Sequence, residues 1–364
     1  MVEYLSSNEL KLNNNGIESN LGVSYLRFIL MIFVCFWNYG IPEPTGFVTA
    51  LSGFATPCFF ILSGYFVLAG DRAVRMEKMV RKLKRTLLCF GFVLVLYIVL
   101  SVVICLVTRT SISITRRNVF EMVVLNMWPL VVGKNIWFIQ SMLYAYIVLY
   151  IADRFKLMKF YRIVLIITVI FMLLTGEFAG LIHFNFLGYP FIPGGWLTRA
   201  LPYILLGKLL CDKADALMEI RVWKYLLLFQ LGGVLALGEI ILLGRTGYLI
   251  YEGHMIGYGV MAFAACGLAI SKPECIDTRI AFYDTALSGM TYILMDPIYC
   301  VFGIIGLFVG GTVLSVFALF GGVIACLLSM ALAFALRKSF MAKHFYSNYH
   351  VKMAEAEMDE IFEE

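Results

Sequence analysis

The sequence predicts an all-α, polytopic integral membrane protein of about ten transmembrane helices with both termini in the cytoplasm, and three observations carry that prediction. The composition is too apolar for a soluble domain, 61% hydrophobic against 15% charged with a mean hydropathy of +0.87, where soluble chains are nearer half apolar and a quarter charged. Apolar stretches recur end to end, with no polar block long enough to fold by itself. Basic residues gather in alternate connections.

Stretches long enough to cross a hydrocarbon core of about 30 Å run at 24–41, 47–69, 86–108, 136–152, 161–176, 196–211, 223–243, 254–271, 287–309 and 312–336. An even number places both ends on one side. The connection after the second stretch holds Arg72, Arg75, Lys78, Arg81, Lys82, Lys84 and Arg85, and the connection before it holds no basic residue. Arg154, Lys156, Lys159 and Arg162 continue the alternation, then Lys208, Lys213, Arg221 and Lys224, then Arg337, Lys338 and Lys343. By the positive-inside rule these connections are cytoplasmic. The chain divides into a polar cytoplasmic N-terminal segment at 1–23, a membrane domain at 24–338 and an acidic cytoplasmic tail at 339–364. No small-residue cleavage site follows the first apolar run, so that helix is expected to be retained.

The opposite side receives the 42–46 turn, the 109–135 segment, the Gly/Pro-rich 177–195 loop, the 244–253 loop and the Gly310-Gly311 turn. Within the second of these, Val119 to Val132 fits either an interfacial or a re-entrant helix. Trp128, Trp137 and Trp196 fall near outer ends, where indoles favour the headgroup zone. The net charge of +5 reports topology and implies no nucleic-acid partner. Most of the nine cysteines lie in apolar runs (Cys35, Cys89, Cys105, Cys266, Cys300, Cys326) and none forms a C-x-x-C pair, so they read as small buried residues; no metal site is expected.

Polar groups at membrane depth are costly and therefore informative. Arg27 and Asn38, eleven residues apart on the first helix, share nearly one face and are separated by about 16 Å. Asp296 lies about nine residues into the ninth stretch, just before Pro297, near mid-membrane. A carboxylate there is desolvated unless a cation such as Arg27 reaches it, and its plainer role is to stabilise a proline kink. Glu239 and Gln140 read as helix-packing contacts. The basic 72–85 segment sets topology and attracts anionic lipid. Arg81, Lys84 and Arg85 at helical spacing also fit a site for the phosphates of a cytoplasmic donor such as an acyl-CoA. No P-loop, dinucleotide fingerprint, G-x-S-x-G or H-E-x-x-H is present.

Several segments, in order, resemble the acyltransferase-three family of bacterial integral-membrane acyltransferases. Leu26-Arg27-Phe28-Ile29 resembles its first-helix opening and Pro57-Cys-Phe-Phe-Ile-Leu-Ser-Gly-Tyr-Phe66 its second-helix signature. Arg81-Lys-Leu-Lys-Arg85 is similar to the basic approach to its third helix, and Trp137-Phe138 to its fourth-helix start. Arg199-Ala-Leu-Pro-Tyr-Ile-Leu-Leu-Gly207 resembles its later Pro-aromatic-x-x-x-Gly helix, and Ser288 to Pro297 its penultimate-helix ending. The resemblance covers residues about 24–336 and implies a ten-helix fold in the plasma membrane. The implied activity moves an acetyl or similar group from acetyl-CoA or succinyl-CoA to an exported saccharide or lipid-linked sugar, an O-acetylation of cell-envelope polysaccharide.

The same resemblance marks three departures. Family members usually carry a histidine eleven residues after the first-helix arginine, thought to act as base, and here that position is Asn38. The histidine often found before the Trp-Phe pair is Asn135, and the one before the penultimate-helix proline is Asp296. The chain's own histidines, His183, His254, His344 and His350, occupy no matching position. Two accounts follow. In one, Arg27, Asn38 and Asp296 form the catalytic set, with Asp296 as base, while Arg81, Lys84 and Arg85 hold the donor and Asn135, Trp137 and Arg199 contact the acceptor. In the other, transfer is lost, and the protein binds or passes a lipid-linked sugar or partners an active relative. A transporter reading lacks its signature of two halves with matching broken helices. Gly253 and Gly257 suit packing within the bundle as well as dimerisation, which leaves the oligomer open.

Overall fold

A computed structural model describes residues 21–40, 46–110, 115–133, 135–185, 189, 192, 194–247, 255–271, 278–309 and 311–336. The acidic tail, residues 1–20 and Gly253 lie outside them. Among the described residues seven helices are long and apolar enough to cross a membrane, and Ile256–Ser271 and Phe320–Ala335 are shorter apolar helices.

The first helix, α1, is Leu21–Tyr39. The next apolar stretch is broken into α2 (Phe47–Leu51) and α3 (Ala55–Val67) by a tighter turn at Ser52–Phe54. The 37-residue α4 (Arg72–Thr108) starts where the Asp71 carboxylate accepts the Val74 N–H at 2.9 Å and ends on Arg109 in the left-handed region. α5 (Arg116–Val124) is short and capped by Thr115. α6 (Ile136–Arg154) and α7 (Tyr161–Thr175) follow. A π-helical turn at Trp196–Ala200 leads into α8 (Leu201–Asp212). α9 (Ala214–Met218) and the longer α10 (Val222–Thr246) come next. The chain then runs through α11 (Ile256–Ser271), α12 (Thr278–Val309) and α13 (Gly311–Ala335).

Cations clamp the start of α4 to the end of α6. Arg75 pairs bidentately with the buried Asp153 at 2.7 and 2.9 Å. Arg72 donates to the carbonyls of Asp153 and Arg154 at 3.1 and 2.9 Å, the end of a helix that favours positive charge. This basic end of the bundle also carries Lys208, which with the Tyr161 hydroxyl holds Asp212 and so ties α7 to α8.

Elsewhere the backbones pack closely. A Cβ on Gly64 of α3 would stand 2.1 Å from the Ile204 carbonyl oxygen of α8, and one on Gly207 of α8 would stand 2.1 Å from that of Ile61. Two of the segments singled out in the sequence are therefore each other's packing partners. Gly257 is used the same way inside the chain, since a Cβ there would lie 2.3 Å from the Ala236 nitrogen of α10. Glu239 accepts the N–H groups of Ile256 and Gly257 at 3.1 and 3.0 Å, capping the start of α11.

The segment after α5 turns back into protein. Val132 is fully buried and its N–H donates to Ser101 Oγ at 3.0 Å. Gln140 pins the same segment by donating to the Met122 carbonyl and accepting from Trp128 Nε1, both at 2.8 Å. Trp128 is thus a packing residue of the bundle, beyond the headgroup anchor that the sequence suggested.

Candidate active site

The site is built around Pro297. Proline has no N–H, so in α12 the carbonyl of Ile293, four residues earlier, loses its helical partner. The buried Tyr97 of α4 supplies a hydroxyl to it. One residue before, the Tyr292 carbonyl accepts Asn135 Nδ2 at 2.7 Å from the position that opens α6. The carboxylate of Asp296, 2% exposed, faces α1 and accepts from the Tyr39 hydroxyl at 3.3 Å. Tyr39 in turn stacks on Tyr299 with ring centroids 4.4 Å apart. Three helices converge on one kinked turn of a fourth.

Asp296 lies within the apolar window of α12, Ser288–Gly306. It is nevertheless level with the last residue of α1 and the first turn of α6, while α12 continues for thirteen residues to Val309. Arg27 does not reach it. Twelve residues of α1, about 18 Å, separate Arg27 from Tyr39, and the guanidinium packs over the Phe66 ring at 5.4 Å. The cation weighed as a partner for the carboxylate therefore belongs to the basic end. On α1, Tyr39, one position past the half-buried Asn38, bonds to Asp296.

Beside this turn lies an aromatic and cationic group. The Arg199 guanidinium sits 4.8 Å over the Trp137 ring, and Gly194 leaves room for it, since a Cβ there would be 2.4 Å from Arg199 Cζ. The π-helical turn that carries Arg199 is marked by the Ala200 N–H bonding to the Gly195 carbonyl at 3.0 Å; such turns recur at functional sites. Phe138 packs on Tyr292 with centroids 5.3 Å apart and so joins this group to α12. Asn135, Trp137 and Arg199 are brought together; Trp137 is a platform for the arginine and not only a headgroup anchor.

The family model described as an acyltransferase domain, that of the acyltransferase-three family, matches residues 20–338. The chain belongs to this family. Comparison with curated proteins and with solved structures gave no match. Membership in the acyltransferase-three family suggests membrane acyltransferase activity.

In this member of the family the cations at the start of α4 divide by face. Arg81, Lys84 and Arg85 are exposed, and Arg81 pairs with Glu77 at 2.6 Å on the surface. The inward face, Met79, Thr86, Val93 and Tyr97, repeats at helical spacing, and Lys82 lies on it. Lys82 is also within electrostatic reach of Arg85 and of Arg27. Arg81, Lys84 and Arg85, expected to share a face, are all exposed positions of α4, and Arg85 lies within electrostatic reach of Lys82. Reading the apolar period of α4 would have selected Lys82. Nothing comparable in the sequence identified Tyr39 or Tyr97, whose roles depend on which helices meet α12.

Proposed function

We propose that the protein transfers an acetyl or similar small acyl group from cytoplasmic acyl-CoA to a hydroxyl of an exported or lipid-linked saccharide, with Asp296 as the base. The observation that carries this reading is the buried carboxylate at the α12 kink, held by Tyr39 beside Asn135. In the step, the acceptor oxygen attacks the thioester carbonyl as its proton passes to the carboxylate. The tetrahedral intermediate then collapses, and the leaving CoA sulfur takes that proton back. Asn38 and Asn135 orient the reactants by hydrogen bonds. Acetyl-CoA and succinyl-CoA are the donors to test first.

The donor enters in this reading from the basic end. Arg27 and the inward-facing Lys82 meet its phosphates, with Arg85 at the rim. Along α4, Tyr97 stands twelve residues beyond Arg85, about 18 Å, a distance suited to the extended pantetheine arm. The seven long apolar helices, the two shorter ones and the Trp196–Asp212 segment support ten spans, and in this reading they cross the plasma membrane with both termini cytoplasmic by the positive-inside rule.

A second reading draws on one observation. Among the described residues the only histidine is His183, exposed in a loop, so the imidazole common in the family is not replaced from elsewhere in the described bundle. On that reading the fold binds or passes a lipid-linked sugar without transfer.

The test is hydrolysis and transfer of radiolabelled acetyl-CoA and succinyl-CoA by purified protein in liposomes, for wild type, Asp296→Asn and Arg27→Ala. Turnover abolished by Asp296→Asn supports the carboxylate base. No turnover above empty liposomes with either donor favours the second reading.

A further inference from the structure

Between α1 and α13 the bundle gathers sulfur. The buried side chains of Met31, Cys35, Met295 and Cys326 form one cluster, and Met330 packs against it. The Cys35 and Cys326 thiols are within hydrogen-bonding contact of each other, and Cys35 Sγ also donates to the Gly322 carbonyl at 2.9 Å. A Cβ on Gly322 would lie 2.3 Å from the Gly40 carbonyl oxygen, so the two backbones nearly touch there and run antiparallel from that point. Cys326, one turn after Gly322, then stands across from Cys35, and Met330, one turn further, across from Met31. Each helix offers one cysteine and one methionine a turn apart, and α12 adds Met295, the sequence neighbour of Asp296.

Thiols and thioethers are soft donors, and together they select a soft monovalent ion such as Cu(I) over harder divalent ions. A zinc site needs three or four thiolate, imidazole or carboxylate ligands, and among the described residues no three such groups lie together. The surroundings are apolar, with Phe28 and Ile32 packed against the cluster. One thiolate against one Cu(I) leaves a neutral site, which such an interior admits at least cost. In the sequence these residues read as separate apolar side chains and no metal site is expected, because the helices that bring them together are the first and the last.

We propose that the Cys35 and Cys326 sulfurs, with the thioethers of Met31 and Met330, hold one Cu(I) ion between α1 and α13, and that Met295 closes the site from α12. On binding, one cysteine S–H gives up its proton to water as the Cu–S bond forms. Copper stays Cu(I) throughout, so no oxidant or reductant takes part. The site lies between two features already described. Arg27 is one turn before Met31, and Tyr39, which bonds Asp296, is one turn after Cys35. A bound ion ties α13 to the turn of α1 that holds the carboxylate. This binding does not rest on the transferase reading.

The experiment uses the full chain in nanodiscs, reduced and anaerobic, titrated with Cu(I) held by the chromogenic chelator bicinchoninate. Wild type should take one equivalent of copper from the chelator, with a sulfur-only first shell in X-ray absorption. Cys326→Ala should lose that equivalent. Met31→Leu and Met330→Leu conserve volume and so keep the packing. Each should weaken binding at least about tenfold, since even residues behind a metal's ligands cost that much. Cys105→Ala, buried on α4 outside the cluster, should bind as wild type does. If Cys326→Ala fails to fold, the two methionine variants decide. Copper left with the chelator by wild type, copper retained by Cys326→Ala, or an affinity unchanged in both methionine variants overturns the proposal. A Cys35–Cys326 disulfide formed on mild oxidation of a protein that takes up no Cu(I) also overturns it, and makes the pair a redox couple instead.

Discussion

The Tyr97 hydroxyl donates at 2.7 Å to the Ile293 carbonyl, the acceptor that Pro297 deprives of its helical N–H. A proline inside a membrane helix is tolerated when a neighbouring helix satisfies the freed carbonyl, and α4 does so here. The bond also fixes the turn on which Asp296 stands.

Tyr97→Phe leaves that carbonyl buried without its side-chain donor and should cost about 1–3 kcal/mol, read as a lower Tm in detergent. Pro297→Ala restores a backbone donor to the same oxygen. In that background Tyr97→Phe should cost less, so the double-mutant cycle shows coupling. Equal cost in both backgrounds would show that the hydroxyl does not serve the proline kink.

Gly64→Ala and Gly207→Ala each place a Cβ 2.1 Å from a carbonyl oxygen of the facing helix. Alanine gains up to about 1 kcal/mol in helix propensity, but α3 and α8 must separate, and overpacking costs about 1–3 kcal/mol or more. Both variants should lose folded protein, measured by monodispersity on size exclusion. Gly238→Ala, with nothing within 4 Å of the added methyl, should be neutral or slightly stabilising. Matching behaviour at all three positions would contradict the close crossing.

Lys82→Met should raise KM for acetyl-CoA about tenfold, the scale of one charge-assisted contact, with kcat less affected. Arg81→Ala, which removes a side chain 60% exposed and paired on the surface, should change KM less than twofold. Steady-state hydrolysis across donor concentrations separates them. A larger effect at Arg81 would place the donor on the outer face of α4.

At the end of the bundle opposite the Arg75–Asp153 clamp, Glu121 of α5 accepts from the Tyr189 hydroxyl at 2.7 Å and from Arg117 Nε at 2.9 Å. The tyrosine, then the arginine, hold its carboxyl below the usual carboxylate range. A depressed folded-state value means that the tie is fully present above the unfolded carboxylate pKa near 4.3 and weakens as pH falls through the lower folded value. Hydrogen exchange across 116–124 should therefore be constant from pH 7 to 5, once corrected for intrinsic rates, and show weaker protection below about pH 4. Tyr189→Phe should lose protection at neutral pH and flatten that dependence. Protection that rises on acidification would reverse the assigned sign.

Much of this was legible before any coordinates. The run of apolar stretches marked the membrane helices because each must satisfy its backbone internally and present apolar side chains to lipid. The basic connections gave an expected orientation by charge alone. Pro297 marked a proline kink, and the four-residue hydrogen-bond rule leaves the Ile293 carbonyl of that turn in need of a donor.

Local sequence had no means of naming that donor. Tyr97 and Ile293 are 196 positions apart, and Tyr39 and Asp296 are 257 apart, so both bonds depend on which helices become neighbours. In an apolar chain nearly every helix can pack against several others, and small residues such as Gly64 and Gly207 select the pairs by permitting close approach. The same selection decided that Lys82 faces inward while Arg81 and Lys84 face out. It also placed Arg27 twelve residues, about 18 Å along α1, from the Tyr39 that bonds the carboxylate it was a candidate to neutralise. The sequence by itself determined that the chain is a helical membrane protein, which residues are costly at depth and where a helix must give up a backbone hydrogen bond, because these follow from local hydropathy and backbone chemistry. Only the tertiary structure decided which of those costly groups meet, because a hydrogen bond between helices is fixed by their packing and not by any spacing within one of them.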